Sequence, residues 1–241
     1  MLLTRATESG DATADRLRGL GAEVAEKPLI RIGPPPDEAA LAAAAARTDF
    51  DWIAFASVHG VEAYARRRAL QRMGSEKFAA VGPATSRAIH AAFGRPADLV
   101  PASHTGGDMG AALAAVMAPG ERALLVQALD ARPDALEALA GAGRSVEAVA
   151  AYATLEEPPS GLLHIVRDAH AVVIASGSAA RSLRSGLGAQ TASALSGKSV
   201  VCIGPVTAAE ARHAGIPVTL VPRTYSMSGV IDVLLEHYAP R

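Results

Sequence analysis

The feature that most constrains this chain is that its second half repeats its first. Leu2-Leu3-Thr4-Arg5-Ala6 returns about 120 residues later as Leu124-Leu125-Val126-Gln127-Ala128. Gly21-Ala22-Glu23-Val24 returns as Gly143-Arg144-Ser145-Val146, and Ile53-Ala54-Phe55-Ala56-Ser57 as Val172-Val173-Ile174-Ala175-Ser176. Val81-Gly82-Pro83-Ala84-Thr85 pairs with Ile203-Gly204-Pro205-Val206-Thr207, and Leu99-Val100-Pro101 with Leu220-Val221-Pro222. A period of half the chain is far longer than the roughly 20–50 residues of solenoid and propeller repeats. It describes a duplicated unit, and 241 residues suffice for two domains. Two such units side by side are expected to leave a cleft, a usual place for a small molecule.

Within each copy, short apolar runs alternate with helical patterns. Strands are expected at 1–4, 24–30, 52–56, 78–81, 98–100, 123–127 and 146–154. Helices are expected at 11–20, closed by Gly21, and at 37–47, with Asp37 as N-cap. Further helices are expected at 58–70, 84–93, 107–117 and 133–140, with strand–helix units continuing to His237. Strands alternating with helices of about ten residues give parallel sheets with crossover helices. Runs such as Ala171-Val172-Val173-Ile174-Ala175 are apolar without alternation, as strands covered on both faces are. Gly33-Pro34-Pro35-Pro36 and Glu157-Pro158-Pro159-Ser160-Gly161 cannot be helix or central strand, so they are read as linkers. The expected architecture is α/β: two similar parallel-sheet α/β domains flanking a cleft, joined by a two-stranded linker. The linkers place 1–32 plus 161–241 in one discontinuous domain and 37–156 in the other.

Several function classes are disfavoured. Lys plus Arg total 23 against 24 Asp plus Glu, so no strong basic field marks a nucleic-acid partner. The short basic run Arg66-Arg67-Arg68 falls in a helical pattern and reads as a solvated face. One cysteine, Cys202, excludes an internal disulfide and fits a reducing cytoplasm. Arg5 and Glu8 interrupt any signal-peptide core, and no apolar run approaches the roughly 20 residues of a membrane span. No Gly-x-Gly-x-x-Gly follows a strand, and Gly197-Lys198-Ser199 lacks the rest of a phosphate loop. Gly-x-Ser-x-Gly is absent, and the seven histidines show no metal-ligand spacing.

What remains is four strand-to-helix turns in two matched pairs. Ser57-Val58-His59-Gly60 corresponds to Ser176-Gly177-Ser178-Ala179, and Gly82-Pro83-Ala84-Thr85 to Gly204-Pro205-Val206-Thr207. Such turns can present backbone N–H groups at helix N-termini, where the dipole favours anions. They can equally be tight turns with a helix-capping hydroxyl. In open parallel sheets ligands bind at the carboxyl ends of strands, so all four are expected to face one cleft.

These segments resemble the uroporphyrinogen-III synthase family. The opening Leu-Leu-Thr-Arg stands at 2–5, and the family's Thr-Ser-x-x-Gly-Val turn resembles Ala56-Ser57-Val58-His59-Gly60-Val61. Its Val-Gly-Pro-Ala-Thr segment is 81–85, and Ile-Gly-Pro-x-Thr-Ala is 203–208. Its Val-x-x-Val-x-x-Tyr-x-Thr strand is 146–154, and Pro222-Arg223-Thr224-Tyr225 resembles its late segment. The matches run from residue 2 to the last helical pattern; their order carries the resemblance, since each is short. The chain departs from the family pattern at Ala6, Ala56, His59, Gln127 and Gly177-Ser178.

The resemblance implies a cofactor-independent, dehydrating cyclisation of hydroxymethylbilane with inversion of the terminal ring, in heme biosynthesis. It implies Tyr152 as the catalytic general acid, since a phenol can donate a proton while neutral. It implies substrate contacts at Arg5, Ser57, Val58, His59, Gly60, Gly82, Thr85, Arg132, Ser176, Gly177, Ser178 and Thr207. The partner is then a small tetrapyrrole, with no nucleic acid, membrane or metal, on a cytoplasmic monomer. The other reading is a non-catalytic two-lobed binding module, or a diverged regulator descended from the same family.

Overall fold

The computed structural model describes residues 1–5, 12–68 and 74–239. In chain order the first elements are β1 (Leu2–Leu3), α1 (Thr13–Gly19), β2 (Ala25–Glu26), β3 (Ile30–Gly33), α2 (Glu38–Ala46), β4 (Trp52–Phe55) and α3 (Val58–Ala65). There follow β5 (Lys77–Ala80), α4 (Pro83–Phe93), α5 (Gly106–Val116), β6 (Arg122–Ala128), α6 (Asp134–Gly141), β7 (Ser145–Glu156) and α7 (Leu162–Asp168). The last are β8 (Ala171–Ile174), α8 (Gly177–Leu187), α9 (Thr191–Leu195), β9 (Ser199–Cys202), α10 (Pro205–His213) and α11 (Met227–Tyr238).

The chain divides into two units: Met1–Arg31 with Leu155–Arg241, and Ile32–Thr154. The first contains a four-stranded sheet in the order β2-β1-β8-β9, every pairing parallel. The second is built on a five-stranded sheet in the order β3-β7-β6-β4-β5, with parallel pairing from β7 through β5. The chain crosses from one unit to the other within β3 and returns within β7, which are neighbours in that sheet.

The unbroken apolar runs are explained by two-sided burial. Alternate side chains of a strand point to opposite faces. In β4, Ile53 and Phe55 enter one core while Trp52 and Ala54 enter the other. In β8, Val172 and Ile174 enter one core of the first unit while Ala171 and Val173 enter its second. Fully burying a side chain of this size contributes about 1.5–3 kcal/mol, so neither face tolerates a polar residue at these positions. Phe55 anchors the aromatic part of its core, with ring centroids 5.5 Å from Tyr64, 6.0 Å from Phe78 and 6.1 Å from Phe93.

The repeat is reproduced at the turns. Ser57 and Ser176 both cap helices, accepting from Gly60 N and Ala179 N at 3.1 Å. Gly82 and Gly204 both stand at N-cap positions with proline next, and Leu99 and Leu220 each form one parallel bridge, to Ala79 and Val201. Gly21 closes α1 at φ +89°, a conformation that disfavours any Cβ. Asp37 caps α2, its carboxylate accepting from Ala40 N at 2.8 Å.

Three expectations need correction. The strand at 24–30 is two short strands, β2 and β3, because Pro28 has no N–H to continue the ladder. The helix expected at 58–70 ends at Ala65, with Arg66 in its C-cap. The basic run is not simply a solvated face. The Arg68 side chain is 1% exposed and paired with Glu76 at 2.8 Å, itself 4% exposed. Arg68 Nη1 also donates to Ala45 O at 2.9 Å and to Arg47 O.

Candidate active site

Tyr152 lies near the carboxyl end of β7, and local backbone geometry sets its direction. Gln127 of β6 stands opposite Ala150, but the next residue, Ala128, stands opposite Tyr152. One extra residue, Ala151, has been inserted into β7. A bulge of this kind re-aims the side chains beside it. As a result Ala151 and Tyr152, adjacent in sequence, both pack against the core that contains Phe55. Leu129 N then donates to Tyr152 O at 2.8 Å, holding the loop after β6 against the bulged strand.

The Tyr152 side chain meets the N-terminus of α3. Its phenol lies beside the Ser57 hydroxyl, and its ring lies edge-on to His59 with centroids 5.5 Å apart. Burial pushes the phenol above the ordinary tyrosine range; the nearby Ser57 hydroxyl opposes this, and the charge of Asp130 adds to it. The phenol therefore stays protonated at neutral pH and can act as a proton donor. His59 Nδ1 stands 3.7 Å from Glu62 Oε2, one helical turn on.

A cavity of about 280 Å³ opens beside this group within the Ile32–Thr154 unit. Its walls are Tyr152 with Ala151, the end of β3 at Ile32-Gly33 with Pro34-Pro35 after it, and one stripe along α3. The stripe is His59, Glu62 and Ala63, continued past the helix end by Arg66 and Arg67. The i, i+3, i+4, i+7, i+8 spacing puts these residues on one helix face.

The four turns divide chemically into two kinds. Ser57 and Ser176 each use the side-chain hydroxyl to satisfy one N–H of their own helix. Gly82 and Gly204 offer no side-chain cap, and the prolines that follow have no N–H. The N–H groups of Ala84, Thr85, Val206 and Thr207 are left for an outside acceptor. Thr85 and Thr207 are themselves 3% and 8% exposed, so these turns present backbone rather than hydroxyls. In the five-stranded sheet the Ser57 and Gly82 turns follow the parallel neighbours β4 and β5; in the four-stranded sheet the Ser176 and Gly204 turns follow β8 and β9. Each pair shares the carboxyl edge of its own sheet.

Other candidate residues stand elsewhere. Arg132 pairs with Asp134 at 3.2 Å on the surface and does not line the Tyr152 cavity. Arg5 follows the carboxyl end of β1, half-buried. Ala6 lies outside the described residues. Gly177 lies against the Glu210 carboxylate, which pairs with Arg181 at 2.9 Å and would have to move for a Cβ there. Sequence reasoning missed the cavity stripe and Asp130. The stripe was visible as helical spacing from His59, but three adjacent arginines suggested solvent. Asp130 follows a loop whose return to Tyr152 depends on the bulge, which no motif announces. Among the described residues no cluster of His, Cys, Asp and Glu could hold a metal ion, and no helix is long and apolar enough to cross a membrane.

The family model described as uroporphyrinogen-III synthase HemD matches residues 11–232. The chain belongs to the uroporphyrinogen-III synthase family. It is 30% identical to the uroporphyrinogen-III synthase of Synechococcus elongatus, over 99% of this chain and 95% of that protein. Its fold resembles that of a uroporphyrinogen-III synthetase from Helicobacter pylori, with a TM-score of 0.69 and 12% identity over 98% of both chains. It also resembles a mutant uroporphyrinogen III synthase from Thermus thermophilus, with a TM-score of 0.63 and 19% identity over 98% of this chain and 97% of that one. The two-domain α/β fold, the parallel sheets and the membership of a biosynthetic enzyme family agree with the sequence reading.

Proposed function

We propose that this chain is a uroporphyrinogen-III synthase that cyclises hydroxymethylbilane, and that Tyr152 is its general acid. The hydroxymethyl C–O bond of the first ring breaks as the pyrrole nitrogen pushes in its electron pair. Tyr152 gives its proton to the departing oxygen, which leaves as water, and an azafulvene remains. The terminal ring attacks that methylene through its substituted carbon, forming a spiro intermediate. The intermediate fragments at the ring's older methylene bond and recloses at its other position, so the ring is inverted. A proton is lost to restore aromaticity, and the phenolate recovers one. No external oxidant, reductant or cofactor is needed for atoms and electrons to balance.

One observation supports this reading above the others. Tyr152 is a half-buried phenol that stands beside Ser57 and His59 and lines a cavity. General acid catalysis contributes about 10²–10⁴-fold, and holding a reactive substrate in one conformer can contribute more. Substrate carboxylates are taken by N–H groups at the carboxyl edges of the sheets, with Arg5, Val58, His59, Gly60 and the Ser176-Gly177-Ser178 turn in contact. Ser57 orients the acid rather than binding a carboxylate. The domains act as 1–32 plus 161–241 and 37–156. The protein works as a cytoplasmic monomer without nucleic acid, a reading supported by balanced charge and a single buried cysteine; light scattering tests the monomer.

Incubation with freshly generated hydroxymethylbilane, followed by chromatographic separation of the isomers, tests the function. Type III product above the uncatalysed background supports it. Only the uninverted type I product would leave a binding protein.

A further inference from the structure

We infer that the cavity beside Tyr152 is a subsite for one carboxylate-bearing pyrrole of the substrate, and that Arg66 is its anchoring cation. The inference rests on the function proposed above and adds a specificity-determining residue to it. Whole-ligand pockets run to about 300–1,000 Å³, so 280 Å³ accommodates a part of a tetrapyrrole rather than all of it. The walls are suited to a flat ring with an acidic arm. Pro34 and Pro35 make a stiff apolar side, and the Tyr152 ring stands across from α3.

Charge then decides the orientation. Three cations or potential cations line the α3 wall: His59, Arg66 and Arg67. Arg67 is engaged, donating to Ala63 O at 3.1 Å and pairing with Glu38. His59 faces Glu62 at 3.7 Å and the Tyr152 ring. Among the described residues no carboxylate pairs with Arg66, although it lines the same cavity. Arg66 stands two helical turns beyond His59 on the α3 stripe, at the end of the cavity wall away from the helix N-terminus. A pyrrole with its ring beside Tyr152 and its carboxylate directed along α3 reaches this guanidinium. The contact is the same before and after the hydroxyl departs, so it is uniform binding and acts on KM rather than kcat.

The test uses the whole chain with Arg66→Met, which keeps the aliphatic stem, and Arg66→Lys, which keeps the charge. A charge-assisted hydrogen bond at an exposed site falls at the low end of its range. Arg66→Met is therefore expected to raise KM for hydroxymethylbilane about tenfold with kcat within about twofold, and Arg66→Lys to recover part of it. Uroporphyrin III, a stable octacarboxylate, is titrated in parallel by fluorescence and should bind Arg66→Met about tenfold more weakly. Trp52 emission checks that each variant is folded. If the wild type makes no type III isomer, the proposed function fails, and the porphyrin titration still decides the subsite. Equal porphyrin affinity for wild type and Arg66→Met, or a fall in kcat with KM unchanged, would overturn the assignment of Arg66.

Discussion

The Arg68–Glu76 pair offers a quantitative test of how the second unit is held together. Both side chains are almost wholly removed from solvent, at 1% and 4% exposure. Glu76 Oε1 receives Arg68 Nη2 at 2.8 Å, and Oε2 receives Gly74 N at 2.7 Å. Arg68 is also fixed by carbonyls at the end of α2. Glu76→Gln keeps the shape and an acceptor for Gly74 but leaves the guanidinium charge buried without its counterion. Breaking a buried pair from one side costs about 3–5 kcal/mol, whereas replacing both partners by apolar residues of similar volume is often close to neutral. With a urea m-value of about 2 kcal/mol per M, a loss of about 3 kcal/mol moves the midpoint down by about 1.5 M. The assay is built in. The single tryptophan, Trp52, lies buried in β4 at 4% exposure, so its emission reports the unfolding of this unit. Glu76→Gln should lower the midpoint by that amount, and the Arg68→Met, Glu76→Leu double variant should recover most of it. A shift under about 0.3 M for Glu76→Gln would show that the Arg68 charge is solvated and not buried against Glu76.

Two further outcomes follow from the same geometry. Ser57→Ala removes a helix cap and the hydroxyl beside the Tyr152 phenol; it should lower stability by about 1 kcal/mol and slow type III formation no more than about fivefold. Abolition of activity in a folded Ser57→Ala protein would show that the hydroxyl reacts rather than orients. Burial pushes the Cys202 thiol up to about 11, so the folded state holds this proton after the unfolded chain, at about 8.5, has lost it. The resulting stability is complete below the unfolded value and is lost as pH rises towards 11, so Cys202→Ala should flatten the decline in urea midpoint between pH 9 and 11; an unchanged slope would contradict the assignment.

What the sequence disclosed was whatever short-range chemistry dictates. Ser57, Asp37 and Gly21 could be assigned as two helix caps and a helix stop because each effect operates within four residues. The continuous apolar strands announced burial on both faces, and the repeated Gly-Pro and Leu-Val-Pro segments occupy corresponding places. Relations made only by folding were hidden. Arg68 reads as surface until Glu76 and the end of α2 close over it. The bulge at Ala151 leaves no mark in composition, yet it puts Tyr152 on the face where Ser57 and His59 meet it.

In the proposed reaction Tyr152 donates the proton that releases water. Tyr152→Phe keeps the ring, its contact with His59 and its packing, and removes only the hydroxyl. The most direct measurement is the rate of type III isomer formation by this variant at saturating hydroxymethylbilane, beside its urea midpoint. kcat is expected to fall about 10²–10⁴-fold, with an unchanged midpoint and the type I isomer accumulating at the uncatalysed rate. A folded Tyr152→Phe protein that forms the type III isomer at the wild-type rate would contradict it.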